Sequence, residues 1–156
     1  MKSCAVVTGA SGGIGTAICQ RLANAGMAVL GIDLQDPQPG SGLEEFLRAD
    51  LGRFASSEVE ADSMLAAISR WLSGRPLGLL VNNAAVQCLS PVADLDRSVW
   101  RCSLEVNLLA PFFLVQSLFD ELKTARGCVA APGVCRRTRR RHIRSLARPL
   151  LAPRFP

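Results

Sequence analysis

Side chains that transfer protons near neutral pH are scarce in this sequence. Its 156 residues include no tyrosine and a single histidine, His142. Any mechanism that uses a tyrosine phenol as its acid or base is therefore excluded for this polypeptide. His142 could titrate near neutral pH, but it lies in an arginine-rich stretch and nothing in the sequence places it beside a binding site. We expect a solvated histidine without a catalytic role.

Paired cysteines and long apolar runs are also lacking. The six cysteines form no CxxC pair, so we expect buried free thiols rather than disulfides or metal ligands. No uninterrupted apolar run approaches the roughly 20 residues of a membrane span, and the first apolar run is too short for a secretory signal. These features predict a cytoplasmic protein with no membrane segment and no metal site.

Acidic residues are absent from the last part of the sequence. All thirteen Asp and Glu residues lie within residues 1–121, together with eight of the eighteen Lys and Arg residues. Residues 122–156 contain the other ten basic residues. Such a change of composition indicates two parts. We predict one domain over residues 1–131 and an Arg/Pro-rich tail over residues 132–156, irregular because it shows no sustained hydrophobic period.

Short apolar runs alternate with helical patterns over the first part. Strand-like runs begin at "CAVVTG", "MAVLGI", "EEFLRADL", "LGLLVNNAA" and "GCVAA". A long helical pattern extends from Asp96 to about Lys123, with an expected kink at Pro111. Alternation of this kind predicts an α/β fold with right-handed crossovers. We expect an incomplete Rossmann-like, doubly wound parallel sheet in strand order 3-2-1-4, with a fifth strand begun.

The stretch "VVTGASGGIG", residues 6–15, places glycines between the first predicted strand and the first predicted helix. Backbone N–H groups and a helix N terminus then meet at one point, which favours phosphate binding. Glycine suits this turn because a Cβ would keep a pyrophosphate from the backbone, and because a tight turn can require positive φ. The spacing fits neither GxGxxG nor a P-loop, so a tight turn without a ligand stays an alternative.

Asp33 ends the second predicted strand. A carboxylate at that place can accept hydrogen bonds from the hydroxyls of an adenosine ribose, whereas a 2′-phosphate would meet a negative charge. The sequence therefore predicts NAD, in preference to NADP, as the cofactor. The alternative is that Asp33 only caps a turn.

Four motifs, in order, resemble those of the short-chain dehydrogenase/reductase family. "TGASGGIG" resembles the family's TGxxxGxG cofactor loop, and "ADL" resembles the motif whose Asp lies near the adenine. "VNNAA" resembles NNAG, with Asn82, Asn83 and Ala84 matching and Ala85 in place of the usual glycine. "EVNLLAPFFLVQ" resembles the segment on the family's fourth helix. The resemblance covers about residues 3–131.

This resemblance implies a set of site residues. Asn107 matches the asparagine that holds a catalytic water through its backbone, and it is the one catalytic residue the resemblance assigns. Ser11 and Gly12 fill variable positions of the loop, and neither is the basic residue found in many NADP-preferring members. Together with Asp33, the predicted cofactor-binding residues are Thr8, Gly9, Ser11, Gly12, Gly13, Ile14, Gly15, Asp50, Leu51, Asn83, Ala84 and Ala85.

The activity implied by the resemblance is hydride transfer between a nicotinamide and an alcohol or carbonyl carbon of a small-molecule substrate. Family members complete the site with a serine and a Tyr-x-x-x-Lys motif. Here tyrosine is absent, "GCVAAPGVC" stands where the serine-bearing strand is expected, and Ser145 is the only serine after Ser117. We therefore expect this chain to be inactive. A change of reading frame or a sequence error near residues 127–131 would explain the break, and so would a genuine short variant; we favour the first.

A non-catalytic cofactor-binding or partner-binding protein is the rival function. The stretch "RRTRRRHIR" could contact a polyanion through its phosphates, but it lacks interleaved aromatic residues for base stacking, and we do not expect nucleic-acid binding. Without further elements to complete the sheet, apolar faces of the fourth strand and the long helix should stay exposed. We expect poor solubility, oligomerisation or aggregation, and weak or absent NAD binding.

Overall fold

The central feature of the fold is a five-stranded parallel sheet in the order β3-β2-β1-β4-β5. The computed structural model describes residues 2–131, so the predicted tail, with His142 and Ser145, lies outside the described residues. The strands are β1 (Cys4–Thr8), β2 (Ala28–Asp33), β3 (Glu45–Arg48), β4 (Leu77–Val81) and β5 (Cys128–Ala130). The predicted α/β class and strand order are confirmed.

Helices cover both faces of this sheet. They are α1 (Gly13–Asn24), α2 (Leu51–Ser56), α3 (Glu58–Leu72), α4 (Arg97–Leu104), α5 (Ala110–Ser117) and α6 (Phe119–Ala125). A short 3-10 turn (Val92–Asp94) precedes α4, and a π-helical turn (Glu105–Leu109) joins α4 to α5. The N-cap of α3 is Ser57, whose Oγ accepts a hydrogen bond from the backbone N–H of Glu60, as expected for a residue of this type.

The core is divided by the sheet into two clusters, one on each face. Val6 of β1 belongs to the cluster that includes Ile68 of α3 and Leu114 of α5. The next residue, Val7, points to the other face and belongs to the cluster with Cys19 of α1. All five residues of β1 are buried, which explains their unbroken apolar run, since a strand covered on both faces need not alternate.

Two helical features differ from the sequence prediction. The helix α2 was not predicted; Asp50 is its N-cap, and its Oδ1 accepts hydrogen bonds from the N–H groups of Gly52 (2.8 Å) and Arg53 (3.3 Å). The long helix predicted from Asp96 to Lys123 is interrupted. The irregular turn ends at Leu109, two residues before Pro111, which occupies the second position of α5, and a further break follows at Leu118.

The prediction that the cysteines are buried is wrong for two of them. Cys4 and Cys19 are buried, and burial raises the pKa of the Cys19 thiol to about 11. Cys102 and Cys128 are exposed, because the first lies on the outer side of α4 and the second on the edge strand β5. The described cysteines are free thiols, as expected.

The stretch Arg97–Ser117 is long and apolar enough to cross a membrane by length and composition alone, with a mean hydropathy of 1.2. The sequence analysis did not single it out, because Arg101 and Glu105 interrupt its apolar residues. Ala110 and Leu114, within this stretch, are fully buried in the core of the domain. The same stretch is otherwise largely exposed, with 17% of it buried.

Candidate functional site

A groove of about 440 Å³ opens at the carboxyl ends of β1, β2 and β4. The strand order reverses there, because β2 lies on one side of β1 and β4 on the other. Open parallel sheets bind ligands at such a switch point, in the crevice beyond the strand ends. This groove is therefore the candidate site for the cofactor.

The glycine turn forms one wall of the groove, and its glycines are required for different reasons. Gly9 has a φ of +65°, and a Cβ there would lie 2.8 Å from the Cα of Ala84. A Cβ on Gly15 would lie 1.9 Å from the carbonyl oxygen of Gly9. Close packing within the protein therefore requires glycine at both positions.

Gly13 has no such constraint. A Cβ built on this first residue of α1 meets no atom within 4 Å, and one on Gly12 meets only the Gly9 carbonyl oxygen, at 3.7 Å. No side chain caps α1, whose N-cap is Gly12. The N–H groups of its first turn are therefore open to the groove, and the positive end of the helix dipole favours an anion at this point.

Asp33 closes the glycine turn onto the end of β2. Its Oδ2 accepts a hydrogen bond from the N–H of Ser11 (2.9 Å), and its Oδ1 accepts one from the N–H of Gln35 (3.1 Å). The Ser11 hydroxyl donates to the Gln35 carbonyl at 2.6 Å. Asp33 therefore does cap a turn, and because each carboxylate oxygen can accept more than one hydrogen bond, this contact leaves it able to accept from a ligand.

The opposite wall comes from the segment after β4. Asn83 Nδ2 donates to the carbonyl oxygens of Thr8 (3.1 Å) and Gly9 (3.0 Å). Thr8 is buried; its hydroxyl accepts from the N–H of Ala84 at 3.1 Å and donates to Val81. These bonds fasten the end of β4 to the glycine turn, so the two walls hold a fixed separation.

Asn107 supports this second wall from the π-helical turn. Its Nδ2 donates to the Val86 carbonyl (2.7 Å), and its Oδ1 accepts from the Val86 N–H (2.8 Å). Ser103 on α4 adds a contact at 3.1 Å. The side chain of Asn107 thus positions the loop that lines the groove, while the residue itself does not line it.

Most of the predicted cofactor residues converge on this groove. The predicted residues that line it are Gly9, Gly12, Gly13, Ile14, Gly15, Asp33, Asp50, Leu51, Asn83, Ala84 and Ala85. Thr8 and Ser11 lie behind the lining and act through the hydrogen bonds above. The residues that the sequence analysis missed are Ile32, Leu34, Gln35, Ala49, Val86 and Val106. Each lies one or two positions from a predicted residue in the sequence, so closeness to a motif was the signal that could have identified it.

The groove combines apolar and glycine residues with a few polar groups. Among the described residues that line it, the charged ones are Asp33 and Asp50. Ile14 is 70% exposed at its mouth, which offers an apolar surface to a planar ring. An anion is favoured at α1, and hydroxyl groups are favoured at the carboxylates.

Known proteins resemble the part of the chain that forms the sheet and the groove. The sequence model of the family described as "short chain dehydrogenase" matches residues 3–131. Galactitol 2-dehydrogenase (L-tagatose-forming) of Cereibacter sphaeroides is 30% identical over 128 residues, which are 82% of this chain and 50% of that protein. The chain spans about half the length of the curated relatives it matches.

Solved structures show the same similarity in three dimensions. An oxidoreductase of the short chain dehydrogenase/reductase family from Brucella ovis, in complex with a partially ordered NAD, is 32% identical with a TM-score of 0.71. The alignment covers 83% of this chain and 61% of that one. A metagenomic short-chain oxidoreductase in complex with NADP is 26% identical with a TM-score of 0.66, over 83% of this chain and 60% of that one. The chain belongs to the short-chain dehydrogenase/reductase family.

Proposed function

We propose that residues 2–131 are the cofactor-binding half of an NAD-dependent oxidoreductase that, in a full-length form, transfers hydride between a nicotinamide and an alcohol or carbonyl carbon. The observation that carries this is the space at Gly13. Packing explains Gly9 and Gly15, but nothing in the described protein requires the missing side chain of Gly13. A pyrophosphate lying against the first turn of α1 would require it.

Each part of a dinucleotide has a complement in the groove. The pyrophosphate would lie at Gly12 and Gly13, and the adenosine ribose hydroxyls would donate to Asp33. The adenine would lie near Asp50, and the nicotinamide near Ile14 and Ala85. When bound, the nicotinamide supplies or accepts the hydride, while the groove residues only bind and orient it.

A preference for NAD over NADP follows from the charge at the ribose end. Asp33 is fixed by two backbone N–H groups, so its carboxylate cannot easily turn away from a 2′-phosphate. Among the described groove residues none is basic. The repulsion is therefore uncompensated within the groove, and NADP should bind more weakly.

Proton transfer is the step for which this polypeptide lacks the group that the resemblance assigns. The sequence contains no tyrosine, and the side-chain amide of Asn107 is hydrogen-bonded to the backbone of Val86. We propose that the 156-residue chain binds the dinucleotide weakly and does not turn over. We attribute this to a change of reading frame or a sequence error after residue 127, where the family match is about to end.

A non-catalytic role is the second candidate, and the exposed apolar surface of the long helical stretch favours it. Trp100, Leu108 and Phe112 are 52%, 60% and 59% exposed. A protein that binds a cofactor and a partner, without catalysis, would use such a surface. This non-catalytic role predicts that the chain binds a dinucleotide without turnover and that its coding sequence is correct as given.

Two measurements test the proposal together. Titration of the purified chain with NAD and NADP should give saturable binding, weaker than micromolar, with NAD ahead of NADP. An assay with alcohol and carbonyl substrates should give no turnover. Turnover would contradict the proposal that the chain is inactive because it lacks a tyrosine proton donor. Absence of any binding would contradict the proposed cofactor site.

Sequencing the coding DNA from the Gly127 codon onward separates the two candidates. A serine-bearing strand followed by Tyr-x-x-x-Lys in another frame would identify a disrupted dehydrogenase, whose restored form should be active. If no frame encodes these residues, the basic tail is genuine, and the non-catalytic role takes the place of the catalytic one.

A further inference from the structure

We propose that Asp36 is a second determinant of dinucleotide choice, because it neutralises Arg48 and keeps this guanidinium from a ribose 2′-phosphate. This inference rests on the proposed function. It starts from the register of the sheet, in which Arg48 of β3 is the direct partner of Asp33 on β2. The two residues are thus neighbours across the sheet, at the strand ends where the ribose is proposed to lie.

Arg48 does not pair with that carboxylate. Both oxygens of Asp33 accept from backbone N–H groups. The guanidinium of Arg48 instead donates through Nη1 to the Leu34 carbonyl (2.7 Å) and through Nη2 to Asp36 Oδ1. The positive charge is thus cancelled by Asp36, and the negative charge of Asp33 is left to act on the groove.

The space next to the ribose end would accept a phosphate. Arg48 lines a second cavity of about 500 Å³, which shares Leu34, Ala49 and Asp50 with the groove. The Leu34 carbonyl would keep Arg48 beside this shared edge even if Asp36 were lost. Removal of Asp36 should then expose an oriented Nη2 donor, and Arg is the side chain that accommodates a 2′-phosphate in dinucleotide sites.

The test compares dissociation constants for NAD and NADP by ligand-observed NMR, in wild-type protein and in Asp36→Asn. The ratio of the NADP to the NAD constant should fall about fivefold in the variant, as expected for one unpaired charge near a phosphate in water. Side chains at both positions are largely exposed, 76% for Asp36 and 56% for Arg48, so the fold should tolerate the change. Thermal unfolding of each variant checks this.

Two further variants identify the cause. Asp62→Asn removes an exposed carboxylate from the middle of α3, away from the groove, and should leave the ratio unchanged. Asp36→Asn combined with Arg48→Gln should return the ratio to the wild-type value, and Arg48→Gln alone, which leaves the Asp36 carboxylate unpaired, should not lower it.

Three results would overturn the inference. If Asp36→Asn and Asp62→Asn give the same ratio while NAD still binds, Asp36 has no part in selectivity. If the gain persists in the double variant, whose net charge equals that of the wild type, removal of the Asp36 carboxylate itself accounts for it and Arg48 does not. If neither dinucleotide binds any of the proteins, the proposed function itself fails and this inference fails with it.

Discussion

Gly13 and Gly15 are two residues apart in one turn, yet their small size serves different purposes. A Cβ on Gly15 would lie 1.9 Å from a backbone oxygen, and one on Gly13 would face open space. Gly15→Ala should therefore lower the free energy of unfolding by about 1–3 kcal/mol, the usual cost of overpacking. Gly13→Ala should change it by less than about 0.5 kcal/mol, as for an unconstrained surface position. Urea unfolding measures both.

The affinity for NAD should be sensitive to Gly13, although stability is not. Gly13→Ala should weaken NAD binding although it leaves the fold intact, because its methyl group occupies the place of the pyrophosphate. The matched control is Gly74→Ala, at another glycine with open surroundings but remote from the groove, whose positive φ predicts a loss of stability without a loss of affinity. Unchanged affinity in Gly13→Ala would count against the phosphate cradle.

The reactivity of each cysteine thiol measures how deeply that residue is buried. Cys19 is fully buried, and its pKa of about 11 keeps it protonated at neutral pH. Since the thiolate is the reactive form, alkylation at pH 8 should modify Cys102 and Cys128 quickly and leave Cys19 unmodified until urea unfolds the domain. Peptide mapping by mass spectrometry distinguishes these sites. Modification of Cys19 at the rate of Cys102 would contradict the packing of α1 on the sheet.

At the scale of elements, the π-helical turn and the loop after β4 form one unit through Asn107. Asn107→Ala removes two hydrogen bonds to Val86 and should lower the free energy of unfolding by about 1–2 kcal/mol. Asn107→Asp keeps the acceptor for the Val86 N–H but sets a carboxylate oxygen against the Val86 carbonyl oxygen, so it should cost at least as much. Backbone amide exchange at Val86 checks the cause, since it should rise in the alanine variant. Exchange that stays at the wild-type rate would show that Asn107 does not hold this loop.

The same element shows where sequence reasoning was sufficient and where it was not. Five strands and the glycine turn could be predicted because periodicity and turn residues are local signals, whereas the strand order was predicted from the Rossmann-like assignment. The π-helical turn was missed; it brings Asn107 into contact with Val86, 21 residues earlier in the chain, and no local pattern reveals such a contact. The helix α2 was missed because it has only six residues and because the Asp50 motif was interpreted as a ligand contact, although that residue also caps a helix.

At the scale of the whole molecule, one surface is apolar. Trp100, Leu104, Leu108, Phe112 and Phe119 recur at helical spacing on α4, the π-helical turn, α5 and α6, and each is at least 38% exposed. The edge strand β5 is also exposed, whereas β4 is paired on both sides. Among the described strands, β5 is therefore the exposed edge on this side, and the prediction that the fourth strand stays exposed is wrong, because its residues are buried or half-buried. Contiguous apolar surface of this kind favours association.

Self-association should decrease when this surface is made polar. Phe112→Ser combined with Phe119→Ser should shift sedimentation toward the monomer without lowering the melting temperature, because both rings are more than half exposed. Phe54→Ser, in the core at 3% exposure, is the contrasting variant and should unfold the domain. A wild-type chain that sediments as a monomer at high concentration would contradict the prediction.

The position at which a dinucleotide binds can be measured directly. A two-dimensional ¹H–¹⁵N NMR titration of the isotope-labelled chain with NAD measures this residue by residue. We predict shifts concentrated at Gly12, Gly13 and Ile14, with smaller ones near Asp33, and none at Arg75, which precedes β4 at the opposite end of the strands. Shifts absent from the glycine turn, or equal at Arg75 and Gly13, would show that the groove is not the cofactor site.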